Sequence, residues 1–203
     1  MASSAAPRWQ QRAAWLGLVA ALLIAISGVL FVGSGRTDPP RAGSVQWQTT
    51  SLPIWILAPG AEHSQWLSEK LPVPPFSLEI TVQFDPDSDP LAYFAISLTP
   101  DKSDTSDRLP LPQRISVQCV GSYQLSADPR WVDFPHLMPA GGSNRVTVDI
   151  DDTGAETLRF NGEIAWQGTY SYKGQSVYVM ISGDGGADRS SQIIWKSAVL
   201  YSP

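Results

Sequence analysis

FSLEITVQF, residues 76–84, carries the pattern from which the rest of the fold follows. Phe76, Leu78, Ile80, Val82 and Phe84 alternate with Ser77, Glu79, Thr81 and Gln83. Successive side chains of an extended strand point to opposite faces, so the stretch has one apolar and one polar face. It predicts a strand lying on a core, dry on one side and wet on the other.

The same period runs outward from it, between residue 45 and the C-terminus. RISVQCV (114–120) places Ile115, Val117 and Cys119 on one face, and NRVTVDID (144–151) does so with Val146, Val148 and Ile150. LAYFAISL (91–98) is apolar nearly throughout, the composition of a strand buried on both faces. VYVMIS (177–182) and QIIWKSAVLY (192–201) complete the set. DPDSDP, TPDKSD, PAGGSN and SGDGGAD punctuate these runs with the residues that turns require. No stretch beyond residue 45 carries a helical stripe, and AEHSQWLSEK (61–70) is expected to form at most one short helix. Many short strands without helices predict two antiparallel sheets packed face to face, or a barrel. A propeller or solenoid would show a repeat of roughly 20–50 residues, and none is present.

LRFNGEIAWQG (158–168) sets Asn161-Gly162 between two apolar runs. This is the strongest short signal for a hairpin, because a type I′ turn needs positive φ at both central residues. A two-residue loop pairs Phe160 with Glu163 and Leu158 with Ala165. A three-residue loop pairs Phe160 with Ile164 and Leu158 with Trp166. Turn chemistry favours the first and apolar pairing the second; either makes Asn161 structural. Neither Asn161 nor Asn144 is followed two residues later by Ser or Thr, so neither is a glycosylation acceptor.

NRVTVDIDDTGAETLRFNGEIAW (144–166), preceded by Trp131 and followed by IIWKSAVLYS (193–202), resembles the concanavalin A-like (laminin G-like) jelly-roll superfamily. Shared features are a Trp, an Asn-x-Val-x-Val strand, a short strand ending in Asn-Gly, and an aromatic-bearing final strand. The resemblance spans about residues 131–201 and implies a sandwich of two curved sheets, often with carbohydrate or protein ligands on the concave face. Glycosidase members carry a Glu-x-Asp-x-x-Glu type strand, which has no match here. That difference argues against hydrolysis.

The 203 residues, 43% hydrophobic and 16% charged, suffice for one domain and an appendage. Residues 45–203 hold 10 basic and 18 acidic residues, a net −8. Such a domain repels phosphate backbones and anionic lipid, so nucleic acid is not an expected partner. Cys119 is the single cysteine, which excludes an internal disulfide and any CxxC site. It is read as a small buried residue on a strand.

AAWLGLVAALLIAISGVLFVG (13–33) runs 21 residues without a charge. At a rise of about 1.5 Å per residue such a helix spans a hydrocarbon core of roughly 30 Å. A cleaved signal peptide is the rival reading, with small residues around Gly33-Ser34-Gly35, but its apolar region usually runs about 7–15 residues. An uncleaved anchor is therefore expected. Residues 1–12 then form a short cytoplasmic N-terminus, 34–44 a Pro/Gly linker and 45–203 the β-domain. Arg8 and Arg12 before the span balance Arg36 and Arg41 after it, so charge orients the helix only weakly. The aromatic-rich β-domain is read as cargo on the extracellular or periplasmic side.

Asp85, Asp87 and Asp89 have the i, i+2, i+4 spacing of a calcium loop and mark a structural-calcium candidate. Pro90, however, replaces the turn glycine and Ile96 the bidentate Glu. Asp149, Asp151, Asp152, Asp184 and Asp188 are further acids, and the acids as a group are expected mainly in solvated turns. His63 and His136 have no zinc-site or metalloprotease context, and no nucleophile elbow or phosphate-binding loop is present. Sugar rings stack on exposed aromatic faces. Trp166, Tyr170, Tyr172 and Trp131 are the candidate ligand-binding residues, and the other tryptophans of the domain are expected in the core. Together these features predict a single-span membrane protein with an all-β antiparallel two-sheet sandwich (jelly roll) that binds a glycan or an envelope protein. The alternative is a non-catalytic accessory subunit of a larger membrane complex, its span packed on partner helices. A glycoside-active enzyme ranks third, and no cofactor is expected.

Overall fold

The computed structural model describes residues 15, 17–24, 43–67, 70–102, 114–126 and 128–202. The chain divides into two units, Met1–Pro39 and Pro40–Pro203. In the first, residues 17–24 are helical, with Leu18, Leu22, Leu23 and Ile24 exposed. Among the described residues no helix is long and apolar enough to cross a membrane. The remainder of the expected 13–33 span, residues 1–12 and most of the 34–44 linker lie outside the described residues.

The described residues of the second unit form β1 (Ser44–Thr49), β2 (Ile54–Leu57), β3 (Glu62–Trp66), β4 (Phe76–Phe84), β5 (Tyr93–Thr99), β6 (Arg114–Gln118), β7 (Ser122–Leu125), β8 (Asp128–Asp133), β9 (Ser143–Ile150), β10 (Ala155–Phe160), β11 (Glu163–Thr169), β12 (Tyr178–Asp184) and β13 (Ser191–Ser202). A seven-stranded sheet runs β1-β13-β4-β9-β10-β11, with β2 also on β13, and a six-stranded sheet runs β3-β12-β5-β6-β7-β8. Every pairing is antiparallel. This is the two-sheet sandwich that the alternation predicts.

Along β4 the five apolar residues are buried and the four polar ones between them half-buried. They join Phe94, Ile96 and Leu98 of β5, Val117 of β6 and Val179 and Ile181 of β12 in one cluster. Each buried side chain of this kind contributes about 1.5–3 kcal/mol relative to exposure, so the interlayer dominates stability. β5 is buried at six of its seven positions, as its unbroken apolar run implied. In β13 one bulge keeps two halves in phase. Ile193 and Trp195 share the core with Ala198 and Leu200, while Lys196 is extruded to the surface.

β3 corrects the expectation of a short helix within 61–70. Its residues are polar and mostly exposed, so no apolar period announces a strand; backbone pairing to β12, from Glu62–Asp184 to Trp66–Met180, makes it one.

In the 158–168 hairpin both sequence alternatives hold, at different levels. φ is 54° at Asn161 and 98° at Gly162, and Phe160 pairs with Glu163, so the loop has two residues. A bulge then leaves Ala165 unpaired and brings Leu158 opposite Trp166. Turn geometry sets the tip, and side-chain burial sets the register below it.

Candidate functional site

The alternation that turns Phe94, Ile96 and Leu98 into the core turns Tyr93 and Ala95 to the outer face of the six-stranded sheet. The same rule places Arg114 and Ser116 of β6, Ser182 and Asp184 of β12, and Glu62 and Ser64 of β3 on that face. Register then sorts them into rows across four strands. Glu62, Asp184, Tyr93 and Gln118 form one row; Ser64, Ser182, Ala95 and Ser116 form the next. The second row holds only small side chains between larger neighbours. A groove of about 260 Å³ results, lined among the described residues by Glu62, His63, Ser64, Tyr93, Arg114, Ser182 and Gly183.

One wall of the groove is aromatic. The Tyr93 ring lies 6.0 Å from that of Trp131 on β8, inclined at 52°. The Arg114 guanidinium sits 6.0 Å from the Tyr93 centroid and its Nη2 approaches Tyr93 Oη at 3.5 Å. Trp131 is 37% exposed, which leaves indole surface for a ligand. The groove thus combines the Tyr93 ring, a guanidinium donor, a carboxylate acceptor and two serine hydroxyls, with the Trp131 indole beside Tyr93. That combination suits a sugar, whose C–H face stacks on a ring while its hydroxyl rim finds donors and acceptors.

Of the aromatic residues singled out in the sequence, Trp131 alone adjoins this groove, through its ring contact with Tyr93. Trp166 lies on the other sheet, half-buried, with its indole laid over Gly168, where an added Cβ would meet the ring at 2.1 Å. Tyr170 and Tyr172, expected at the surface, are 1% and 8% exposed and belong to the core. Their i, i+2 spacing does put both on one side, but that side is inward. Tyr170 stands edge-on to Phe76 at 6.4 Å and to Tyr172 at 5.9 Å. Sequence reasoning missed Tyr93, Arg114, Glu62, Ser64 and Ser182. For Arg114 the available signal was phase, opposite the apolar positions of β6; Tyr93 lies in an unbroken apolar run that carries no phase.

Asp85 and Asp89 tie the loop through their carboxylates, and among the described residues Asp85, Asp87 and Asp89 form no group placed to hold a metal ion. Asp89, 1% exposed, accepts the N–H groups of Asp188 (2.7 Å), Leu91 (2.8 Å) and Arg189 (3.0 Å). Those bonds, led by the one from Asp188, hold its carboxyl below the ordinary range despite burial. Asp85 accepts the N–H of Asp87 at 3.1 Å. Gly186, at φ 79°, allows the close approach, since a Cβ there would lie 2.5 Å from Asp89 Cγ. Among the described residues no group of three or more His, Cys, Asp or Glu side chains is placed to hold a metal ion.

Glu156 departs from the expectation that acids sit in turns. It lies on β10 opposite Ile150 and Gly168, is 2% exposed, and its Oε2 has no hydrogen-bond partner. Burial pushes its pKa up to about 7. The Tyr170 hydroxyl, also unpartnered, is pushed up by burial and by the Glu156 charge. This pair lies in the interlayer, away from the groove. Of the histidines, exposed His63 lines the groove and stands edge-on to Trp55 at 4.8 Å, and the carbonyl of exposed His136 accepts from Asn161.

No protein-family model and no curated protein matches the sequence. Solved structures do match in fold. The carbohydrate recognition domain of Emp47p is 14% identical, covers 83% of this chain and 92% of its own, and has a TM-score of 0.54. That of Emp46p, in a point-mutant form, is 14% identical over 78% of this chain and 86% of its own, with a TM-score of 0.54. An endo-acting O-glycanase expressed by the human gut microbiota to initiate mucin breakdown is 10% identical over 74% and 79%, at 0.51. The fold is the concanavalin A-like jelly roll.

Proposed function

We propose, with the concanavalin A-like jelly roll as the premise, that this chain is a glycan-recognition module held at a membrane by its N-terminal segment. The observation that carries the reading is the groove of Tyr93, Arg114, Glu62, Ser64 and Ser182, with the Trp131 ring beside that of Tyr93 at its edge. Carbohydrate recognition domains and an O-glycanase among the structures of similar fold support it. Binding is favoured over hydrolysis. Glu62 and Asp184 are register partners at the groove's rim, but Asp184 Oδ1 accepts the Gly186 N–H at 2.7 Å and is held in its own turn.

Residues 13–33 serve as the anchor, and the domain of residues 45–203 faces the extracellular or periplasmic side. Support comes from the uncharged run itself and from helical residues 17–24, whose leucines are exposed and would be covered by a bilayer.

The test is glycan-array binding by the full chain in neutral detergent. Trp131→Ala and Tyr93→Ala are expected to weaken retention about tenfold or more, roughly 1.4 kcal/mol. Asp149→Asn and Glu163→Gln, on the seven-stranded sheet, should leave it unchanged. Binding indifferent to both aromatic substitutions would remove the groove from consideration. Ile54 and Ile56, 59% and 76% exposed on β2, favour a second reading as an accessory subunit. Retention of a partner protein at fixed stoichiometry, with no glycan bound, would establish that reading instead.

A further inference from the structure

We infer that the outer face of the six-stranded sheet carries a second subsite, at Lys70, Lys102, Trp66 and Tyr178, that takes the anionic group of an acidic sugar. The inference rests on the glycan reading of the groove. Trp66 and Met180 lie two residues along β3 and β12 from Ser64 and Ser182, about 7 Å farther on the same face. Tyr178 is the next outward position of β12. Neighbouring units of one saccharide chain can therefore reach both places.

The two rings meet edge to face, 6.1 Å apart at 70°. Lys102 Nζ stands 4.7 Å from the Tyr178 centroid and 5.9 Å from that of Trp66, and Lys70 Nζ stands 5.5 Å from Tyr178. Among the described residues neither ammonium meets a carboxylate. Arginines of the same domain do: Arg130 with Asp128 at 2.6 Å and Arg159 with Asp149 at 3.5 Å. The distinction matters chemically. A carboxylate partner neutralises a cation, whereas a ring face attracts it through a quadrupole and leaves its net charge available. Both ammonium groups stand close to the Tyr178 ring, at 5.5 and 4.7 Å from its centroid, so an anion beside that ring is attracted by both charges.

The ligand chemistry follows from the donors. An ammonium is a compact, rotatable charge without the planar fork of a guanidinium, so it accepts a uronate carboxylate or a sulfate ester alike. The surrounding domain, at net −8, repels an extended anionic surface such as a bilayer or nucleic acid. One anionic group on a sugar meets the local pair alone.

The full-length protein in neutral detergent should be titrated, at physiological salt, with oligogalacturonate, a chondroitin sulfate oligosaccharide and a neutral galacto-oligosaccharide. At least one acidic probe is expected to bind about three- to tenfold tighter than the neutral one, the range two exposed charge pairs supply. Which acidic probe it is tells carboxylate from sulfate. Lys70→Met with Lys102→Met should abolish the preference without changing neutral binding, and Lys→Arg at both positions should keep it. Equal wild-type affinities, or a preference that survives the double Met variant, would overturn the subsite while neutral binding left the groove standing. Absence of binding to all three sugars would overturn both. Binding only to vesicles containing phosphatidylserine, lost in the double Met variant, would replace the sugar with a lipid headgroup.

Discussion

Asn161 Nδ2 donates to Asn144 Oδ1 at 3.1 Å, and the two amides together lock one end of the seven-stranded sheet. Asn144, 1% exposed, takes the Met138 N–H at 2.7 Å and gives its own Nδ2 to the Met138 carbonyl at 2.8 Å. Asn161 takes the Arg145 N–H at 2.8 Å, and its backbone N–H returns to the Arg145 carbonyl at 2.8 Å. The hairpin turn, the start of β9 and the loop before it are thus joined by two side chains.

Asn144→Ala is expected to cost about 1–2 kcal/mol, because it removes both side-chain bonds to the part-buried Met138 backbone. Asn161→Gly keeps the positive φ but loses the side-chain bonds, for about 1 kcal/mol. Urea unfolding of both single variants and the double variant should show coupling, since the two amides share a bond. Strict additivity would mean that they act independently.

Glu156 makes stability depend on pH. Its folded pKa of about 7 lies above the ordinary 4.5, so the folded state holds a proton that the unfolded state releases. Stability from this group is full below pH 4.5 and is lost as pH rises to about 7, by up to about 3 kcal/mol. Glu156→Gln should flatten that slope and be the more stable form at pH 8. At the acid end Asp89 acts oppositely: its depressed pKa stabilises the fold above the ordinary carboxylate range, and that contribution disappears as pH falls through the folded value. A wild-type profile that does not fall between pH 4.5 and 7 would show Glu156 to be charged in the native core.

Cys119 is 2% exposed, and burial pushes its thiol pKa up. Cys119→Ala should fold and cost about 1–2 kcal/mol, as a small truncation in the core. The native thiol should resist modification by a maleimide until the protein is unfolded. Fast labelling under native conditions would indicate a reactive role.

Topology is testable in cells. A periplasmic or extracellular reporter fused after Pro203 should be active, and a reporter that works only in the cytoplasm should be silent. The reverse pattern would place the domain beside residues 1–12.

How far the sequence was legible depends on where each signal resides. In β4, β5, β9 and β13 an apolar period of two, or an unbroken apolar run, is imposed by the core. A core needs nothing from distant residues beyond their being apolar, so these strands were readable one at a time. β3 was not, because an exposed edge strand is held by backbone bonds to β12 and its side chains face water. Tyr170 and Tyr172 were misplaced at the surface for a related reason. The i, i+2 spacing of Tyr170 and Tyr172 told that they share a side, but not which side the interlayer occupies.

The sequence by itself therefore determined the sandwich, the hairpin at Asn161-Gly162, the buried single cysteine and the uncharged N-terminal run. Each is local, written in side-chain period, turn chemistry or composition. Only the tertiary structure decided the groove. Glu62, Tyr93, Arg114 and Ser182 come from four strands, and strand register alone sets which outward residues of one strand lie beside those of the next. A shift of one residue would turn each of them to the other face, and the core that forbids the shift is built by the residues between them.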